Sequence, residues 1–167
     1  MIAVFRDPDS GEIIELSDAV VELFMTYSQA GKHDKERGGL LFANPIFSDR
    51  IVIDAATQPH PRDQATRCSL SLDHGRCADE IRRANNEGRW FVGYWHTHPD
   101  GQTQISHADI SAFSKNLAAG GHGLTAMLAV IVGKAARSVR LSTYLIRSGR
   151  VTCLSPMLKS AIDQNEP

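Results

Sequence analysis

Two stretches of the chain are apolar almost without a break: Leu40-Leu41-Phe42-Ala43 behind Gly38-Gly39, and Trp90-Phe91-Val92-Gly93-Tyr94-Trp95. Short apolar runs bounded by turn-forming residues fit buried strands. Residues 1–6, 11–16, 50–57, 66–72, 125–132, 138–146 and 150–154 read as further strands, with Cys68, Leu70 and Leu72 on one face of the fourth of these. Residues 58–65 hold Pro59 and Pro61 and read as a loop. Helical spacing recurs three times. Ala19, Val20, Leu23, Phe24 and Tyr27 follow the starters Ser17 and Asp18 and run toward Gly31; a second helix starts at Asp73 and reaches about Asn86; a third covers Ser106 to Ala119 and closes at Gly120-Gly121. The order β-β-α-β-β-β-α-β-α-β-β-β predicts an α/β domain, a mixed sheet with helices against it, over residues 1–160, with 161–167 a disordered tail.

With 167 residues the chain can bury a core without disulfides. Its 18 basic and 19 acidic residues nearly cancel, which argues against a nucleic-acid or membrane-surface partner. No apolar run approaches the ~20 residues of a membrane span, and the first residues lack the basic start and apolar core of a signal peptide. Cys68, Cys77 and Cys153 form no CxxC pair, so neither a disulfide framework nor a structural zinc site is expected. A reducing, cytoplasmic setting follows as the expectation.

Candidate chemistry is concentrated in His96-Thr97-His98-Pro99-Asp100-Gly101 and the helix start that follows. Two histidines one residue apart at a strand end share a face. With Asp109 as a third ligand and an open fourth position they would make the donor set of a catalytic zinc. Each residue also has a plainer role. Ser106-x-x-Asp109 is a capping-box pattern; Glu36, a candidate general base, lies in the charged turn Lys35-Glu36-Arg37; and the histidines could be buried polar residues. Lys35 and Arg37 would keep Glu36 ionised if they turned inward. The other histidines, His33, His60, His74, His107 and His122, fall in loop or cap positions, and Cys77 reads as a small buried residue.

Taken together, Glu36, then His96-Thr97-His98-Pro99, six residues, and Ser106-His107-Ala108-Asp109 resemble the JAMM signature of the JAB1/MPN/Mov34 metalloproteases, E…H-[S/T]-H-P-x6-S-x2-D. Glu36-Arg37-Gly38-Gly39-Leu40-Leu41 resembles the way that family leads into its buried strand. The resemblance spans roughly residues 15–147 and implies a cytidine-deaminase-like curved sheet. It also implies zinc held by His96, His98 and Asp109, a water at the fourth position, Glu36 as general acid/base through that water, and Ser106 as a stabiliser of the tetrahedral intermediate. The family hydrolyses the isopeptide or peptide bond after the C-terminus of a ubiquitin-like protein. The small domain is similar to prokaryotic members of CBASS-type anti-phage operons, so the implied substrate is a ubiquitin-like or nucleotidyltransferase conjugate, with operon-encoded activating and conjugating enzymes as partners. A peptidase acting on a sulfur-carrier protein or cysteine conjugate, and a binding module without turnover, are the alternatives.

Overall fold

The computed structural model describes residues 3–44 and 50–157; the expected tail at 161–167 lies outside them. Strand β1 (Ala3–Arg6) turns back into β2 (Ile13–Leu16), and helix α1 (Asp18–Tyr27) follows. Strands β3 (Gly38–Ala43) and β4 (Arg50–Ala56) come next, then the two-residue strands β5 (Gln64–Ala65) and β6 (Leu70–Ser71) and helix α2 (His74–Asn86). Strand β7 (Trp90–His98), a short 3-10 turn (Pro99–Gly101) and helix α3 (His107–Ala119) precede β8 (Ala126–Lys134), β9 (Val139–Arg147), β10 (Arg150–Cys153) and β11 (Ser155–Met157).

Among the described residues, nine strands form one sheet in the order β10-β9-β8-β7-β3-β4-β2-β1-β11, while β5 and β6 make a separate hairpin. The pairs β2/β4 and β7/β8 are parallel and the others antiparallel. The sheet curls until its ends meet: Leu154 N donates to Thr143 O, Arg147 binds the fully buried Asp7 at 2.8 Å, and Arg150 reaches Asp9 at 2.8 Å. The result is a curved, nearly barrel-like mixed sheet flanked by three helices.

Both faces of the sheet are covered, which explains strands that are apolar at every position. In β8, Leu128, Val130 and Val132 face α1, while Met127, Ala129 and Ile131 face α2 and α3. β3 divides in the same way, Leu41 and Ala43 toward α1 and Leu40 and Phe42 toward the other helices.

β7 obeys this rule only because of an irregularity. Phe91 and Trp95, four residues apart, pack in opposite layers, and the pairing with β3 slips between Leu41 and Phe42, opposite Gly93 and Phe91. A bulge therefore inverts the strand's phase. Gly93 permits it, since a Cβ there would collide with the carbonyl of Leu128.

Elsewhere the expected elements form with shifted bounds. α1 stops at Tyr27, four residues short of Gly31, because Ser28 leaves the helix in an extended conformation. The expected strand 66–72 is reduced to Leu70–Ser71: Thr66 and Ser69 close a tight turn through a backbone hydrogen bond, and Cys68 is exposed in it. β7 runs three residues beyond Trp95, so both histidines belong to the strand.

Candidate active site

The inverted phase of β7 turns His96 and His98 toward α3. His96 lies opposite Gly38 of β3 on one side and Ile131 of β8 on the other. Gly38 is required here: a Cβ would press on Leu70 Cδ2 at 2.6 Å and on His96 Cβ at 3.0 Å. Leu70 of the β5–β6 hairpin therefore roofs the first residue of β3 beside the histidines.

The third group comes from the first turn of α3. Asp109 Oδ1 lies 3.3 Å from His96 Nε2, Asp109 Oδ2 3.4 Å from His98 Nε2, and the two Nε2 atoms are 3.0 Å apart. The capping box is present as well. Ser106 Oγ accepts from Asp109 N at 3.1 Å, while Ser106 N and Ser106 Oγ donate to Asp109 Oδ2 at 2.9 and 2.5 Å. The two explanations offered by the sequence thus coexist: Asp109 caps the helix and still presents its carboxylate to both imidazoles. Burial works against the charge of Asp109, but hydrogen bonds from His96, His98 and Ser106 overcome it and hold the carboxyl far below its usual range.

These three residues are the one group of three or more His, Cys, Asp or Glu side chains among the described residues with ligand atoms close enough for a metal ion. A tetrahedral ion with bonds of about 2.0–2.1 Å needs ligand atoms about 3.3–3.4 Å apart. The triangle of 3.0, 3.3 and 3.4 Å fits that demand, with imidazole nitrogen and carboxylate donors suited to zinc.

Glu36 precedes β3 and is only 5% exposed. Its N–H donates to Thr66 O at 2.8 Å, and the next residue exchanges hydrogen bonds with Thr97, between the two histidines: Thr97 N donates to Arg37 O at 2.8 Å and Arg37 N to Thr97 Oγ1 at 3.0 Å. Burial pushes the Glu36 carboxyl up to about 7, the charge of His98 opposing and that of Asp109 adding to the shift. Arg37 does not turn inward; its guanidinium lies over the Tyr27 ring at 5.8 Å.

A cavity of about 330 Å³ opens beside His96 and Asp109, between the β5–β6 hairpin, α2 and α3, with Leu70, Leu72, Tyr94 and Phe113 among its walls. Tyr94 packs against Phe91 and Phe113 and faces the cavity, while the Trp95 side chain is fully buried in the layer of α1. Cys77 borders the same cavity, but burial raises its thiol to about 11 and keeps it protonated. His33, His74 and His107 are exposed and His60 and His122 half-buried.

The hairpin is clamped at both ends. At its base, Asp63 binds Arg76 of α2 through Nε at 3.0 Å and Nη2 at 2.8 Å. At its tip, Arg67 takes Asp100 with both carboxylate oxygens at 2.9 Å. Neither pair stands out in the sequence. Nor does Gln29, whose buried amide bonds to Thr97, Asp34 and Arg67.

A family model for prokaryotic homologs of the JAB domain matches residues 18–143, from α1 to β9. The chain belongs to the prokaryotic JAB family. It is similar to a protein of Pseudomonas aeruginosa named CD-NTase/cGAS isopeptidase, 30% identical over 89% of this chain and 93% of that protein. A protein of the same name from Escherichia coli is 25% identical over 78% of this chain and 82% of its own. A solution structure of a protein from Desulfitobacterium hafniense shares the fold, with a TM-score of 0.62 at 18% identity, covering 83% of this chain and 87% of that one. JAB membership and two relatives named as isopeptidases support a hydrolase. Among the described residues no helix is long and apolar enough to cross a membrane.

Proposed function

We propose that this JAB protein is a zinc-dependent isopeptidase that cuts the bond after the C-terminal residue of a nucleotidyltransferase, or of a ubiquitin-like protein, joined to a target, and that it serves bacterial anti-phage defence. The observation that carries the chemistry is the triangle of His96, His98 and Asp109 at metal-ligand spacing, with the buried carboxyl of Glu36 near enough to feel the charges of His98 and Asp109. The substrate class is drawn from the names of the two relatives.

His96, His98 and Asp109 would hold the zinc, which supplies Lewis acidity and a nucleophilic water at neutral pH. Glu36 takes the proton of the attacking water and delivers it to the leaving nitrogen. A carboxyl raised toward 7 suits both halves of that task, because a group poised near the working pH can accept and donate. Ser106 orients Asp109 as long as its hydroxyl hydrogen points there. For it to stabilise the tetrahedral intermediate, that hydrogen has to turn from Asp109 to the developing oxyanion. The substrate's tail lies extended along the hairpin, in the manner of strand addition, and its side chains enter the cavity walled by Leu70, Leu72, Tyr94 and Phe113.

The test is hydrolysis of a fusion in which the nucleotidyltransferase of the source genome is joined through its C-terminal residue to a reporter protein. Zinc-loaded protein is expected to release the reporter, and Glu36→Gln to cut the rate by about 10²–10⁴. Release that survives both Glu36→Gln and removal of the metal by a chelator refutes the proposal.

A further inference from the structure

We infer that Gln29 is a positioning residue that holds Glu36 in register with the His96/His98 pair from the opposite face of the sheet. The inference rests on the role proposed above for Glu36.

Thr97 lies between the two histidines, so its side chain points away from theirs, toward the α1 layer, and is fully buried. There it meets Gln29, just past the end of α1 and 4% exposed. The amide of Gln29 uses each of its hydrogens. Nε2 donates to Asp34 O at 2.9 Å and to Arg67 O at 3.2 Å, while Oε1 accepts from Thr97 Oγ1 at 3.1 Å. The Thr97 hydroxyl in turn accepts from Arg37 N, and Glu36 N donates to Thr66 O.

These bonds close a ring. It runs from Gln29 to Thr97, through the peptide of Glu36 and Arg37 to Thr66 and Arg67, and back to Gln29. The ring joins three segments far apart in sequence: the one carrying the base, the one carrying two metal ligands, and the hairpin that roofs the site. A general base must lie within about 2.6–3.2 Å of the proton it takes, so a small drift of this peptide has a large effect on rate. Gln29 cannot itself touch the reacting atoms, because the sheet stands between.

Gln29→Met keeps the length of the side chain and removes the bonds. On the reporter fusion, kcat is expected to fall about 10- to 100-fold with KM within about twofold, as an error of about 1 Å can cost 10²-fold. Zinc content should stay at one per chain. Amide hydrogen exchange at Glu36 and Arg37 should speed up with and without zinc, a readout independent of turnover. In a Glu36→Gln background, Gln29→Met should lower the residual rate no further. Arg147→Met, which cuts an ion pair at the opposite end of the sheet, is the control for plain destabilisation and should leave kcat unchanged.

Loss of zinc, an unchanged kcat, or unchanged exchange at both amides overturns the inference while Glu36→Gln shows its expected loss of rate. If Glu36→Gln keeps the parent's rate, the proposed mechanism itself has failed. Should Gln29→Met not fold, Thr97→Val removes the other half of the link and must give the same kcat loss and the same exchange pattern.

Discussion

Replacing Asp63 with Ala tests how the roof of the site is held. The Asp63 carboxylate is 5% exposed and the Arg76 side chain 2%. Besides two bonds from Arg76, Asp63 accepts from His60 N at 2.9 Å and Asp73 N at 3.0 Å. Its removal leaves two backbone donors unpaired and Arg76 with Glu80, at 2.6 Å, as its remaining acidic partner. Removing one member of a buried pair costs about 3–5 kcal/mol. A domain of this size loses about 2–4 °C of thermal midpoint per kcal/mol, so Asp63→Ala is expected to melt about 6–20 °C lower. Burial opposes the charge of Asp63, but Arg76 and the two backbone donors overcome it and keep the carboxyl below its usual range. A carboxyl lowered by folding stabilises above its unfolded pKa and loses that contribution as pH falls through its folded one. The gap between parent and variant should therefore be full at neutral pH and shrink below about pH 4. Calorimetry at pH 7 and pH 3 measures it. A drop of less than about 2 °C at pH 7, or a gap that widens in acid, refutes the clamp; Asp63→Leu with Arg76→Met, which removes both charges, should recover much of the loss.

Other outcomes follow from the same geometry. The acid limb of kcat/KM should report Glu36, which must be ionised to accept a proton; burial raises its pKa and the charge of a bound metal lowers it. Glu36→Gln should therefore abolish that limb, and an acid limb unchanged in the residual activity of the variant contradicts the assignment. Zinc at 100 times its Kd should add about 2.7 kcal/mol of stability, seen as a higher melting midpoint that a chelator reverses and His96→Ala abolishes. Gly93→Ala should cost at least about 1–3 kcal/mol from overpacking against Leu128; measured by zinc titration, the variant should also bind metal poorly even where circular dichroism shows the fold intact.

What the sequence could reveal depended on range. The starts of the three helices were legible because Ser17, Asp73 and Ser106 act locally, each accepting a backbone N–H of its own first turn. The Leu-Leu-Phe run of β3 was legible because burial on both faces leaves no polar position. His96 and His98 were legible as a pair, since spacing of two fixes a shared face whichever face it is. Which face they took was not legible, for it depends on a bulge in the pairing with β3, a strand about 50 residues earlier in register. The segment 66–72 looked like a strand by alternation, yet the turn closed by Thr66 and Ser69 took most of it. Gln29, Asp63 and Arg76 look like surface residues in sequence; the Asp63–Arg76 pair spans 13 residues and the Gln29–Thr97 contact 68.

The bulge at Gly93 also bears on attempts to move this site. A His-x-His pair copied onto the end of a regular strand would carry its imidazoles to the wrong layer half of the time, and helix geometry alone could not correct it. The transferable unit is larger: Gly93 to His98 together with the neighbouring strand whose carbonyl crowds the glycine. A designed scaffold that keeps His96, His98 and Asp109 and replaces the bulge by a regular pair must shift the strand by one residue to compensate. In this protein the two histidines and the phase of the strand that carries them are one structural element.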